Sequence, residues 1–483
     1  MNYSMILKVI GTLLVINGGF MLTSIPFSIY YADGDTMDII YSGLISAASG
    51  FLLRILSPKS SNTELKRKDG YLIVSLGWVS MSFLGSLPYI LSGAIPDLAS
   101  AFFETMSGFS TTGATVLTDI EAVPRGVLYW RSLTQWIGGM GIIVLAVAIL
   151  PLLGIGGMQL FVAEAPGISP DKLQPRIKET AKRLWIIYLG LTVLDFLLLW
   201  VGGMSFYDAI NHSFTSMASG GFSTKNASLA YYTSPFIHYV VIAFMFIAGT
   251  NFTMLYFGLH GNFRKIVQNE EFRFYFIFCL AAGFLIGSII FTMGHGTYER
   301  SVRESLFQVI SIVTTTGYVI YDYTSWTPLI TVLFFLFMFM GASAGSTAGG
   351  VKLVRHILLI KTAILEFKRL IHPNAVLPVR YNGKTVSGDI TFNVLAFIMI
   401  YILIFCVGFL IVSAFGIDYV TAIGAVAATL GNVGPAIGGV GPMDNFGHLP
   451  GAVKWVLSFL MLVGRLELFT VMILFTPYFW KKF

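Results

Sequence analysis

Apolar residues run along this chain in blocks of about twenty, the length that crosses a bilayer as a helix, divided by short polar or glycine-rich breaks. The blocks predict ten spans: 6–31, 37–56, 71–91, 129–153, 184–204, 235–259, 274–293, one from 326 to about 365 interrupted at 341–350, then 391–415 and 454–475. Within each of the last four pairs lies an apolar piece too short to cross: 97–109, 205–217, 299–313 and 418–430. Each ends in a loop of small residues, Ser110-Thr111-Thr112-Gly113, Ala218-Ser219-Gly220-Gly221, Thr314-Thr315-Thr316-Gly317 and Gly431-Asn432-Val433-Gly434. The closing glycines are about a hundred residues apart, and recurrence at a fixed interval marks repeated units. The pattern predicts an all-α polytopic membrane protein, with a two-span N-terminal domain over 1–69. Four helix–short helix–helix repeats follow, over 70–160, 161–262, 263–370 and 371–483.

A half-length helix cannot cross the bilayer and must return as irregular backbone. Such backbone is tolerated at membrane depth only inside protein or beside a water-filled cavity. An inward-pointing helix C-terminus carries roughly half a negative charge, so four converging ones favour a cation. Asp97, Ser205 or Asp208, Glu299 and Asp418 are expected to cap the outer ends. The loops carry hydroxyls, one amide and glycines but no ring of carboxylates, so the ligands are backbone carbonyls and hydroxyls. Carbonyls that replace a hydration shell are the potassium solution, and glycine permits the backbone angles that aim them inward. The candidate potassium-binding residues are Ser110, Thr111, Thr112, Gly113, Ser219, Gly220, Gly221, Thr315, Thr316, Gly317, Asn432, Val433 and Gly434. The fourth loop lacks hydroxyls, so the ring is asymmetric.

Composition agrees with a membrane protein. Hydrophobic residues make up 55% and charged ones 11% of the 483, where a soluble domain carries about 25% charged residues. The mean hydropathy is +0.78. The net charge of +6 does not point to nucleic acid, because the basic residues lie in loops. With both termini and alternate loops cytoplasmic, 23 of the 30 lysines and arginines fall on that side, as positive-inside asymmetry requires. The same assignment puts all four glycine loops outside. The apolar start after Lys8 lacks an A-x-A-like cleavage site and reads as an uncleaved first span. Cys279 and Cys406 both sit in apolar blocks, so no disulfide framework is expected. The seven histidines are scattered, and no metalloenzyme motif, catalytic residue or bound cofactor is expected. Asp195 is the one mid-span aspartate named, which leaves an intramembrane aspartyl protease without its pair. A secondary carrier would show inverted repeats, whereas these read as parallel.

The stretch 341–350 has no large side chain and contains four glycines. Each costs about 1 kcal/mol in a helix, so a break at mid-membrane is expected. Small residues also suit close helix packing. The functional reading is a movable loop that blocks the pathway, with Gly345, Gly349 and Gly350 among the gating residues. Arg465 and Glu467 fall inside the last predicted span, where charges are costly and face protein or water. Two residues apart on a helix, they point differently and are not each other's main partners. Lys352 either snorkels to the inner surface or takes part in gating.

Six stretches are specific enough to name a likeness: 109–115 (FSTTGAT), 138–151 (GGMGIIVLAVAILP), 220–224 (GGFST), 341–352 (GASAGSTAGGVK), 372–375 (HPNA) and 464–467 (GRLE). With them the chain resembles, over essentially its whole length, the Trk/Ktr/HKT superfamily of potassium transporters, in its bacterial TrkH type. The resemblance implies a pseudo-fourfold arrangement around one ion pore, with filter glycines at Gly113, Gly221, Gly317 and Gly434. It implies a gate at 341–350 and a pore-facing positive charge at Arg465 opposite it. It also implies a homodimer in the bacterial inner membrane, regulated by a TrkA-type cytoplasmic ring that binds NAD or ATP. The basic stretch 352–384 and the loop 163–183 are the expected docking surface for that ring. The loops differ from the TVGYG filter, so tight discrimination against sodium does not follow. Channel-like conduction and proton- or sodium-coupled symport both remain open.

Overall fold

The computed structural model describes residues 1–57, 66–141 and 177–481. Those residues are helical almost throughout. The exception to the all-α expectation is a two-stranded antiparallel hairpin pairing Arg380–Tyr381 with Lys384–Thr385. Asn382 and Gly383 turn it with φ of 49° and 74°, the left-handed pair that a tight hairpin demands.

The chain opens with α1 (Tyr3–Leu22), α2 (Ile25–Tyr31) and α3 (Thr36–Leu56). The first predicted span is therefore divided, because Pro26 restarts the helix in its first turn. The bodies of α1 and α3 touch through glycines: a β-carbon on Gly11 would lie 2.5 Å from the Gly50 carbonyl oxygen. Close approach through small residues is how helices associate in lipid.

Four times the chain then presents a long helix, a short helix, a turn and a second helix. First come α4 (Arg67–Gly85) and its continuation α5 (Leu87–Leu91), then α6 (Leu98–Phe109) and α7 (Arg125–Gly139). Next are α8 (Ile177–Val201), α9 (Phe206–Met217), α10 (Pro235–Ala248) and α11 (Phe252–Leu259), with the linking α12 (Phe263–Gln268). The third set is α13 (Glu270–Thr292), α14 (Tyr298–Val313), α15 (Pro328–Phe337) and α16 (Leu353–Ile371). The fourth is α17 (Gly388–Ala414), α18 (Tyr419–Gly431), α19 (Gly451–Arg465) and α20 (Phe469–Met472). The long helices turn apolar side chains such as Phe51, Leu197, Ile277 and Met399 outward, while the short helices are buried over nearly their whole length.

Two spans expected to be continuous are broken. The helices of 235–259 meet at 108°, and those of 454–475 at 112°. At the first bend Asn251 leaves the helix and caps α11, accepting from the Thr253 N–H at 2.7 Å. At the second, Glu467 and Leu468 both take left-handed backbone, each with φ of 55°. Among the described residues six helices are long and apolar enough to cross a membrane, and the two bent pairs make eight. The predicted span 129–153 is helical as α7; its part from 142 lies outside the described residues, as do most of the loop 163–183, Lys59 and Lys482. The second helices α7, α10, α15 and α19 are all short, at 15, 14, 10 and 15 residues. They stop against the short helices: a β-carbon on Gly138 would lie 1.9 Å from the Phe109 carbonyl oxygen, and one on Gly464 2.1 Å from that of Leu430.

Candidate functional site

Each short helix is capped at its N-terminal end by a side chain. Asp97 accepts from Ser100 N at 2.9 Å, Ser205 from Asp208 N at 3.0 Å, Thr297 from Arg300 N at 3.3 Å and Asp418 from Thr421 N at 2.9 Å. Three caps are those expected. The third is Thr297 rather than Glu299, which sits in the first turn and pairs with Arg303 at 2.8 Å. Hydrogen bonds from Ser100 and Thr421 hold the Asp97 and Asp418 carboxyls below the ordinary carboxylate value, so both caps stay charged beside the positive helix ends.

At the C-terminal ends the four loops share one backbone conformation. Thr111, Ser219, Thr315 and Asn432 are left-handed, with φ of 54°, 55°, 56° and 53°. Two residues on, Gly113, Gly221, Gly317 and Gly434 have φ of 81°, 75°, 78° and 96°. The loops close on one another in cyclic order. A β-carbon on Gly113 would lie 2.2 Å from the Gly220 carbonyl oxygen, one on Gly221 2.0 Å from that of Thr316, one on Gly317 2.2 Å from that of Val433, and one on Gly434 2.6 Å from that of Thr112. The carbonyls of Thr112, Gly220, Thr316 and Val433 thus form a ring with the four glycines wedged between them. The side chains are less regular. Ser110 bonds Thr112 and Thr314 bonds Thr316, both at 2.7 Å. The second and fourth loops have no such hydroxyl pair, because Ala218, Gly220, Gly431 and Val433 stand there.

Against this ring lies 341–350, non-helical as expected. Its backbone folds back on itself through Gly341 N to Val351 O at 2.7 Å, and Gly345 and Gly350 are left-handed at φ of 73° and 65°. Three of the four left-handed loop residues touch it. Ser219 Oγ and Thr347 Oγ1 are 2.8 Å apart. Thr315 Oγ1 accepts from Gly349 N at 2.7 Å. Asn432 packs so closely that a β-carbon on Gly349 would lie 2.6 Å from its Cβ. Thr111, in the remaining quarter, keeps a buried hydroxyl with no hydrogen bond among the described residues.

Arg465 closes the far side. It donates to Thr347 O at 2.8 Å and to the helix-end carbonyls of Gly138 and Gly139 at 2.6 and 3.2 Å. It therefore faces the 341–350 loop and is also satisfied by helix-end carbonyls; the two readings describe one contact. Glu467 pairs instead with Arg355 on α16. Lys352 does not snorkel: it is buried and donates to Ala348 O.

Several polar residues that hold this arrangement escaped the sequence reading. Buried Glu271 at the start of α13 accepts from Ala344 N at 2.8 Å and Val354 N at 3.1 Å, tying the loop to the first turn of α16. Asn251 donates to Ala344 O at 2.7 Å. On α7, Arg131 pairs with Glu104 at 2.7 Å and donates to Ser223 O at 3.0 Å, while Gln135 reaches Gly220 and Phe222. Polar residues one helical turn apart inside an apolar block were the available signal for the last pair.

Comparison with known proteins agrees with this geometry. A family model described as TrkH, cation transport protein, matches residues 36–295 and 286–482. The Trk system potassium uptake protein TrkH of Halomonas elongata is 41% identical, covering 100% of both chains. That of Escherichia coli strain K12 is 40% identical over 100% of both, and TrkG of the same strain 35% identical over 88% of both. The crystal structure of the potassium transporter TrkH from Vibrio parahaemolyticus superposes with a TM-score of 0.89 at 36% identity, covering 100% of each chain. These relatives are transporters, not enzymes.

Proposed function

The chain belongs to the TrkH family of cation transport proteins, and from that premise we propose that it takes up potassium across the bacterial inner membrane through a filter made of the four glycine loops. The observation that carries the reading is the cyclic contact of Gly113, Gly221, Gly317 and Gly434 with the neighbouring carbonyls. A shared left-handed turn repeated four times brings four carbonyl dipoles and four helix C-termini to one place, an environment that replaces a cation's water shell. In this reading the four repeats, over 70–160, 161–262, 263–370 and 371–483, surround one pore, and 1–69 stands outside them.

The 341–350 loop is the gate of this pore, held beneath the filter by Ser219, Thr315 and Arg465. The charge of Arg465 raises the barrier to cations while the loop is in place. Helix α16 leads away from the gate and carries much of the basic stretch 352–384, where a TrkA-type ring binding NAD or ATP would pull on it in a homodimer. Both termini are cytoplasmic in this arrangement. A rocking carrier is disfavoured because all four short helices bring their C-termini to the same ring, a parallel rather than an inverted repeat.

Complementation tests the reading. A bacterium lacking its own potassium uptake should grow in low potassium when it carries this protein and its cytoplasmic partner, and should fail with Gly113→Ala. Failure of the intact, membrane-inserted protein with its partner would overturn it.

A further inference from the structure

The second helices begin at matching caps, Pro124, Ser234, Thr327 and Pro450. Counting from these caps, Gln135 occupies the position held by Met245, Met338 and Met461 in the other quarters, and Arg131 that held by Val241, Phe334 and Leu457. All eight are buried. Three quarters present an apolar pair where the first presents a guanidinium and an amide.

The amide is fully used. Gln135 Nε2 donates to Gly220 O at 2.6 Å and Oε1 accepts from Phe222 N at 3.0 Å. A carbonyl needs a donor and an N–H an acceptor, so only one orientation of the amide satisfies both. The side chain thus brackets Gly221 from both sides, and it lies flat on Gly220, where a β-carbon would fall 2.4 Å from its Cδ. Arg131, one turn earlier, fixes the next residues, stacking 3.5 Å from the Phe222 ring and donating to Ser223 O. Gly220 O is one of the four ring carbonyls. At the matching place the other quarters offer a thioether, which has no proton to donate.

We propose that Gln135 is a specificity-determining positioning residue, which pins the Gly220 carbonyl and weakens its field so that this quarter rejects sodium in favour of potassium. Discrimination between alkali cations rests on the number, field strength and mobility of coordinating carbonyls. A carbonyl whose oxygen is already tied to a side-chain donor cannot close in on a smaller ion, and the amide N–H dipole opposes its pull. The inference rests on the filter reading and refines it.

The test measures potassium and sodium uptake in cells carrying the intact protein with its partner. Gln135→Met, which copies the other quarters, and Gln135→Leu, which keeps an apolar side chain of similar size without donor or acceptor, are compared with wild type. In both, the potassium-to-sodium uptake ratio is expected to fall roughly fivefold, the worth of one net hydrogen bond. An unchanged ratio in either variant that reaches the membrane overturns the inference, as does failure of both to fold, which would make the role structural. Absence of potassium uptake by wild type would instead sink the filter reading itself.

Discussion

The hydroxyls of Ser219 and Thr347 lie 2.8 Å apart, one on the left-handed turn of the second glycine loop and the other midway along 341–350. Thr347 Oγ1 also lies 3.1 Å from Met217 O and 3.2 Å from Ala248 O. A carbonyl can only accept, so Thr347 donates there and Ser219 donates to Thr347. The contact therefore joins the second glycine loop to 341–350 directly, the proposed filter to the proposed gate. Ser219→Ala and Thr347→Val should each raise rubidium leak through partner-free protein in liposomes. The two changes together should do little more than either, with a coupling of about 1 kcal/mol. Fully additive effects would separate the gate from the ring.

Arg465 binds the same loop from the other side and ends on the first quarter's helix. Arg465→Ala should raise basal cation flux roughly tenfold, since hydrogen bonds to a charged group contribute about 1.5–3 kcal/mol. Arg465→Lys should restore only part of the block, because a lysine lacks the forked geometry that spans Thr347 and Gly138. Unchanged flux at normal membrane levels counts against the gate.

The ring glycines are expected to tolerate nothing larger. At Gly221 an added methyl would meet Thr316 O at 2.0 Å, on backbone that disfavours L side chains by about 1–2 kcal/mol. Gly221→Ala should abolish uptake and also lower Tm, because the methyl meets backbone rather than a movable side chain, as seen by transport assay and thermal unfolding side by side. Gly19, where an added β-carbon meets nothing within 4 Å, is the matched control and should transport normally as Gly19→Ala.

Much of this was legible in the sequence. Small residues after apolar half-blocks located the four loops, and the loss of side-chain bulk located 341–350, because backbone that leaves a helix inside a membrane has few acceptable compositions. The bends at 249–251 and after Arg465 were not legible. Both follow from contacts made by other elements: Ser343 N bonds Gly249 O at 3.0 Å, and Arg465 and Glu467 are drawn to partners far away in the chain. The third cap differs from expectation for a local reason: Glu299 suits the first turn and Thr297 the cap itself, and a hydropathy block does not locate the first helical residue. The spacing of Arg131 and Gln135, one helical turn apart, marks a buried polar pair but not which backbone it meets.

The N-caps of the short helices are expected to act on stability. Asp418→Ala should lower stability by about 1 kcal/mol at neutral pH, the usual worth of a cap, with the potassium-to-sodium ratio unchanged. The folded state holds this carboxyl below its ordinary value. Its contribution is therefore present above the unfolded-state pKa and is lost as pH falls through the depressed one. Unfolding temperatures of wild type and variant should converge in acid; a gap that stays constant at low pH would contradict the assignment.

The central claim is that four loops from distant parts of the chain make one cation site. Anomalous diffraction from crystals soaked in thallium or rubidium reads this directly. The account predicts a peak enclosed by the carbonyls of Thr112, Gly220, Thr316 and Val433, displaced by excess potassium and absent in Gly221→Ala. Ion density elsewhere in the protein, with none inside that ring, would contradict it.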